Sequence, residues 1–118
     1  MGKLTTHVLD TANGCPAANV TVDLYALQAN GQRHLVKIVH TNQDGRCNTP
    51  LLEDSAMSIG TWELVFYIAD YFKAKGHALS DPAFFDVVPL RFAIADPNAH
   101  YHVPLLVSPW SYSTYRGS

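Results

Sequence analysis

Asn19–Thr41 reads NVTVDLYALQANGQRHLVKIVHT, and this stretch decides the fold. Val20, Val22, Leu24 and Ala26 alternate with Thr21, Asp23 and Tyr25. A period of two sends neighbouring side chains to opposite faces, so Asn19–Leu27 is predicted to be a strand with one buried face. Asn30-Gly31 follows, a dipeptide favoured in tight hairpin turns because both positions take positive φ at little cost. Arg33–Thr41 is a second, β-branched run, so the two segments form a hairpin.

Working outward, the same signature repeats in both directions. Asn42-Gln43-Asp44-Gly45 is a turn that delivers Arg46. Before the hairpin, Leu4–Asp10 reads as a strand and Asn13-Gly14-Cys15-Pro16 as the turn that ends it. After it, Thr61–Ala69 is aromatic and β-branched and is predicted as a strand. Asp70–Lys75 holds better helix formers and stops at Gly76, so one short helix is expected there. Phe84–Ala95 reads as a strand in which Pro89 demands an edge or a bulge. His100–Val107 is a strand broken by Ser108-Pro109, and Ser111–Ser118 is the last. About eight short strands with one short helix make an all-β protein, most economically a two-sheet β-sandwich.

The 118 residues suit one domain spanning 1–118. Charged residues are only 15% of the chain, below the usual quarter, which points to a surface partly covered by another subunit. The formal net charge of -2 gives no basic footprint for nucleic acid. No apolar run is long enough for a bilayer span, so no membrane partner is expected. The opening residues lack an apolar signal core and the ending is not Ser-Lys-Leu, so the expected location is cytoplasmic. Cys15 and Cys47 match no zinc or redox spacing and are read as free thiols.

In His100–Val107 the alternation puts Tyr101, Val103, Leu105 and Val107 on a good core face, which leaves His100 and His102 pointing away from it. In Leu4–Asp10, if Val8 faces the core, His7 points outward with Thr5 and Leu9. Single outward histidines are usually just solvated, and His34, His40 and His77 are read that way. His-X-His with a third imidazole also suits zinc, though the spacing is common. The remaining reading is metal-free acid–base catalysis. A neutral imidazole takes a proton from water near neutral pH, and an arginine, Arg46 or Arg116, steadies the oxyanion formed at a carbonyl. Spacing alone does not choose between the two arginines.

Five stretches together resemble the 5-hydroxyisourate hydrolases, the transthyretin-related enzymes of urate breakdown. They are Leu4-Thr5-Thr6-His7-Val8-Leu9-Asp10, Gly14-Cys15-Pro16-Ala17, Thr41-Asn42-Gln43-Asp44-Gly45-Arg46, His100-Tyr101-His102-Val103-Pro104 and Ser113-Thr114-Tyr115-Arg116-Gly117-Ser118. The resemblance covers essentially the whole chain, and its specific part is the closing Tyr-Arg-Gly-Ser, which transthyretin lacks. It implies a transthyretin-like sandwich assembled as a homotetramer, a dimer of dimers, with sites in the channel where the dimers meet. It also implies hydrolysis of 5-hydroxyisourate to OHCU without metal or cofactor. Carried over residue by residue, the family's catalytic positions fall on His7, Arg46, His102 and Ser118, and Tyr115 joins His7 and Arg46 in contacting substrate. His100 is expected to support its neighbour, and Arg116 to be structural.

Overall fold

The structure is a computed structural model that describes residues 1–117. Its strands are β1 (Lys3–Asp10), β2 (Cys15–Pro16), β3 (Thr21–Leu27), β4 (Arg33–His40), β5 (Leu52–Glu53), β6 (Gly60–Phe66), β7 (Val88–Ile94), β8 (His100–Val107) and β9 (Tyr112–Thr114). One helix, α1 (Ile68–Ala74), sits between β6 and β7, and a 3-10 turn covers Asp54–Ala56. The first sheet runs β2-β1-β8-β9 with β5 also paired to β1, and the second runs β4-β3-β6-β7. This is the two-sheet sandwich that the alternation predicts.

The sheets face each other through their alternate residues, as sandwiches require. Leu4, Val8 and Leu105 of the first sheet meet Val22, Leu24, Leu64, Phe66 and Val88 of the second, and each of these is 0% exposed. The outward set of β1 and β8 is Lys3, Thr5, His7, Leu9, His100, His102, Pro104 and Leu106, of which all but the buried Pro104 are at least partly exposed. The sequence therefore separates a packing face from a face that carries the histidines.

The pairing of β1 with β8 is parallel, in register from Lys3 opposite His100 to Asp10 opposite Val107. The other strand pairs are antiparallel. Alternation within a strand says nothing about which strand lies beside it. This seam is the step that brings the two ends of the sequence onto one surface.

The hairpin forms where expected: Gly31 has φ of +84° and donates to the Gln28 carbonyl at 2.9 Å. Several boundaries differ. Asn19, with φ of +62°, belongs to the turn before β3. Ile68 and Ala69, predicted as strand, open the helix, where Ile68, Ala69, Tyr71 and Phe72 form its buried stripe. That is helical spacing, which a short β-branched and aromatic run masks. Residues 84–87 lie outside β7, and Pro89 sits on the sheet's outer edge, as a residue without an N–H must. The last predicted strand is only Tyr112–Thr114. His77 is not simply solvated: its ring stands edge-on to Phe72 at 5.3 Å and accepts from Asn13 Nδ2.

One polar anchor is buried with the core. Asp10, 1% exposed, accepts from the backbone N–H groups of Ala12 and Asn13, from Asn13 Nδ2 and from the Tyr71 hydroxyl. Burial alone would raise its pKa, but these donors outweigh burial and hold it below the usual carboxylate value. The bond from Tyr71 ties α1 to the end of β1. Both cysteines are free thiols. Among the described residues no helix is long and apolar enough to cross a membrane.

Candidate functional site

The turn after β4 sets the first part of the site. Asn42 Oδ1 accepts from the N–H groups of Asp44 and Arg46, and the Asn42 N–H donates to the Arg46 carbonyl. This closes a tight loop whose Gly45 takes φ of +75°. A β-carbon at Gly45 would strike the Val8 carbonyl, so only glycine fits. The Val8 N–H donates to the Gly45 carbonyl at 2.8 Å, and His7 pairs with Arg46 as an isolated antiparallel bridge. A local turn motif thus docks on β1 and puts the guanidinium next to the first histidine.

The parallel seam sets the second part. It places His100 and His102 on the surface that carries Thr5 and His7. Arg46 and His102 line one cleft of about 460 Å³, together with Thr5, Cys47, Asn48 and His100. His7 is not among its lining residues; it stands beside Arg46, close enough for its charge to bear on His102.

The hydrogen bonds of the imidazoles restrict their protons. His7 Nε2 lies 2.9 Å from the Asp44 carbonyl oxygen, so Nε2 carries the hydrogen and Nδ1 is bare in the neutral ring. His102 Nδ1 lies 2.8 Å from Thr5 Oγ1, which is also 2.9 Å from His100 Nε2. Burial lowers the pKa of His7, and the Arg46 charge lowers it further. Burial, then Arg46, then His100 and His7 lower that of His102. Both shifts favour the neutral imidazole, the form able to accept a proton, beside a cation that cannot lose its own.

The chain's tail reaches the same place. The Gly117 N–H donates to the His102 carbonyl at 2.8 Å, an isolated bridge that holds the tail along β8. Ser118 lies outside the described residues. Tyr115 is 61% exposed and lines a different cleft of about 470 Å³, with Arg91, Phe92, Tyr101 and Arg116. The guanidinium of Arg116 stacks over the Tyr101 ring at 4.2 Å, away from the His7–Arg46 pair. Of the expected positions, then, His7, Arg46 and His102 come together within one chain and Tyr115 does not join them. Among the described residues no three His, Cys, Asp or Glu side chains converge to hold a metal ion.

Residues 4–117 match the HIUase/Transthyretin family. The chain belongs to that family. A 5-hydroxyisourate hydrolase 2 of Rhizobium meliloti (strain 1021) is 59% identical over 117 residues, which is 99% of this chain and 97% of the relative. Among solved structures, an (S)-allantoin synthase superposes with a TM-score of 0.93 at 49% identity over 99% of this chain. This chain spans only 44% of that longer one. A sea bream transthyretin in complex with thyroxine superposes with a TM-score of 0.86 at 26% identity, covering 98% of this chain and 94% of the other. Family membership agrees with the two-sheet sandwich.

Thr5 escaped the sequence reading as a site residue. Its alternation with His7 placed it on the right face, but its contact with His100 and His102 depends on the register of β1 against β8. Asp44 was likewise missed, because it acts through its backbone carbonyl.

Proposed function

We propose that this chain, acting as one domain, hydrolyses 5-hydroxyisourate to the ring-opened carboxylate OHCU. The relatives named above supply the substrate. The observation that carries the mechanism is the grouping of two neutral imidazoles with the Arg46 guanidinium on the outward face of one sheet.

A water held between His7 and His102 gives a proton to one of them as its oxygen adds to the C6 carbonyl carbon. The carbonyl π electrons move to oxygen, and Arg46 offers fixed, charged donors to the resulting oxyanion. Collapse of this intermediate breaks the C6–N1 bond, the histidine's proton passes to the leaving N1, and the new acid at C6 releases the second proton of the water to solvent and becomes a carboxylate. Each step uses residues of this chain and needs no metal or cofactor. Tyr115 contacts the substrate ring, and Ser118 orients a histidine or binds substrate through its hydroxyl or the terminal carboxylate.

In one chain the histidine face is open, and hydrolysis at a carbonyl gains from a drier pocket. A homotetramer built as a dimer of dimers supplies the facing wall and brings Tyr115 of a neighbouring copy within reach. The enzyme works in the cytoplasm on a small, flat substrate.

The test is to generate 5-hydroxyisourate with uricase and follow its ultraviolet decay with and without the protein, before and after chelator treatment. Accelerated decay that survives chelation is expected. Decay at the uncatalysed rate overturns the assignment and favours a carrier, the reading for which the thyroxine-bound transthyretin speaks. Acceleration abolished by chelation overturns the metal-free mechanism. Sedimentation of the purified protein as a monomer removes the tetramer.

A further inference from the structure

Thr5 Oγ1 sits between two imidazole nitrogens, 2.9 Å from His100 Nε2 and 2.8 Å from His102 Nδ1. The parallel register produces this arrangement. Thr5 lies opposite His102, Lys3 lies opposite His100, and the outward side chain of Thr5 falls between the two rings. A threonine hydroxyl has a single hydrogen and two acceptor sites. It donates to one ring at most, so at least one ring must donate to it. The tautomers of His100 and His102 are therefore coupled through one oxygen atom.

We propose that Thr5 is a positioning residue that keeps Nε2 of His102 bare, by accepting its Nδ1–H and donating to His100. With Nδ1 committed to Thr5, Nε2 is the nitrogen of His102 left for the cleft where Arg46 lies. A neighbouring guanidinium favours a lone pair facing it over an N–H. A base that takes a proton from water also needs that lone pair, and in this respect the proposal rests on the hydrolytic reading above. The only hydrogen of Thr5 then goes to Nε2 of His100, whose own hydrogen sits on Nδ1.

When His102 accepts a proton at Nε2, its Nδ1–H stays in place and Thr5 remains the acceptor. This is the orienting task that a carboxylate performs behind the histidine of other hydrolases, carried out here by a neutral oxygen. A neutral acceptor fixes the ring without stabilising the imidazolium strongly, so the proton returns easily to the leaving nitrogen. The lowered proton affinity of His102 agrees with this.

The test reads the ring nitrogens directly. Nitrogen-15 spectra of the histidine side chains are recorded for the wild-type protein, Thr5→Val and Thr5→Ser, at a pH where the imidazoles are neutral. The wild-type His102 is expected as the Nδ1–H tautomer. Thr5→Val, which keeps the shape and loses the hydroxyl, is expected to move it toward the Nε2–H form that free histidine prefers, and Thr5→Ser to restore it. In turnover assays Thr5→Val should lower kcat by roughly tenfold, the equivalent of one hydrogen bond, with KM little changed. Thr5→Ser should recover most of that loss.

A wild-type His102 with its hydrogen on Nε2 overturns the proposal, as does a Thr5→Val protein with unchanged tautomer, or a serine variant that behaves like valine. The spectra need no substrate. A wrong tautomer in a protein that still hydrolyses 5-hydroxyisourate sinks the role of Thr5 alone, whereas the expected tautomers in a protein without that activity sink the substrate assignment alone.

Discussion

Gly117 lies so close to His102 that a β-carbon on it would stand 2.6 Å from the imidazole Cδ2. Real β-carbons essentially never come that near another atom, so either the tail or the ring must move. The tail is held by its N–H bond to the His102 carbonyl, and the ring by Thr5. Gly117→Ala is therefore expected to lower kcat by on the order of tenfold or more, because displacing a reacting group by about an ångström is costly to catalysis. Thermal denaturation should change little, since the residue is remote from the core. A variant with normal turnover would show that the tail does not set the position of His102.

Alanine at His7, Arg46 or His102, the groups to which the proposed mechanism assigns the reaction, changes a partly or fully exposed position and creates no cavity in the core. Each variant is expected to fold, by circular dichroism, and to lose about two to four orders of magnitude in kcat. The double variant His7→Ala, His102→Ala should lose much less than the product of the single effects if one water is shared between the two rings. Full multiplicative loss would mean that the imidazoles act independently.

Proton titration of the two histidines follows from their surroundings. Burial first and the Arg46 charge second push both below the ordinary imidazole value of 6.5. A general base must be deprotonated, so the acid limb of kcat/KM should fall below that value. Arg46→Met should raise both midpoints in an NMR titration, and that of His102 should stay below 6.5, since burial and the neighbouring histidines remain. The same sign governs stability: with folded pKa values depressed, the unfolded chain binds more protons as pH falls past 6.5. The contribution is present above 6.5 and is lost as pH falls through the folded values. Midpoints at or above 6.5 in the wild type would contradict the packing of the site.

Tyr71→Phe removes one of four donors from a nearly inaccessible carboxylate, Asp10. Hydrogen bonds to charged groups are worth about 1.5–3 kcal/mol, and urea denaturation should show a loss in that range. Turnover should be unaffected, because the bond joins α1 to the end of β1 and does not enter the cleft. The depressed pKa of Asp10 adds stability above the usual carboxylate range that is lost as acid titrates it, so the gap between the variant and the wild type should narrow at low pH.

Much of this architecture was legible from local pattern. The strand in Asn19–Leu27, the Asn30-Gly31 turn and the core set Tyr101, Val103, Leu105 and Val107 all rest on neighbours in sequence, and the structure keeps them, except that β3 starts at Thr21 and buries Asp23 along with Val22 and Leu24. Ile68 and Ala69 were misread because a helix shorter than a few turns shows too little of its period. For the candidate site, the chemistry singles out His7 and His102 with an arginine, and only the resemblance chooses Arg46 over Arg116. Thr5 was passed over because its importance lies in a strand pairing between residues 95 and 97 positions apart. Tyr115 lies at a second cleft because its strand ends at Thr114 on the sheet's outer edge. Such placements depend on register, which composition and spacing do not encode.

The seam between β1 and β8 gives this fold an unusual timetable. A chain emerging from the ribosome exposes one long edge of β1 until its final stretch appears, with β2 and β5 each offering only two residues to the opposite edge. Unpaired edges invite other chains, so the early part of synthesis is the hazardous part. Throughout that wait His7 and Arg46 stand without His102, however well the second sheet has formed. Loss of β8 would therefore take the candidate site away while leaving the strand pairing of the second sheet intact.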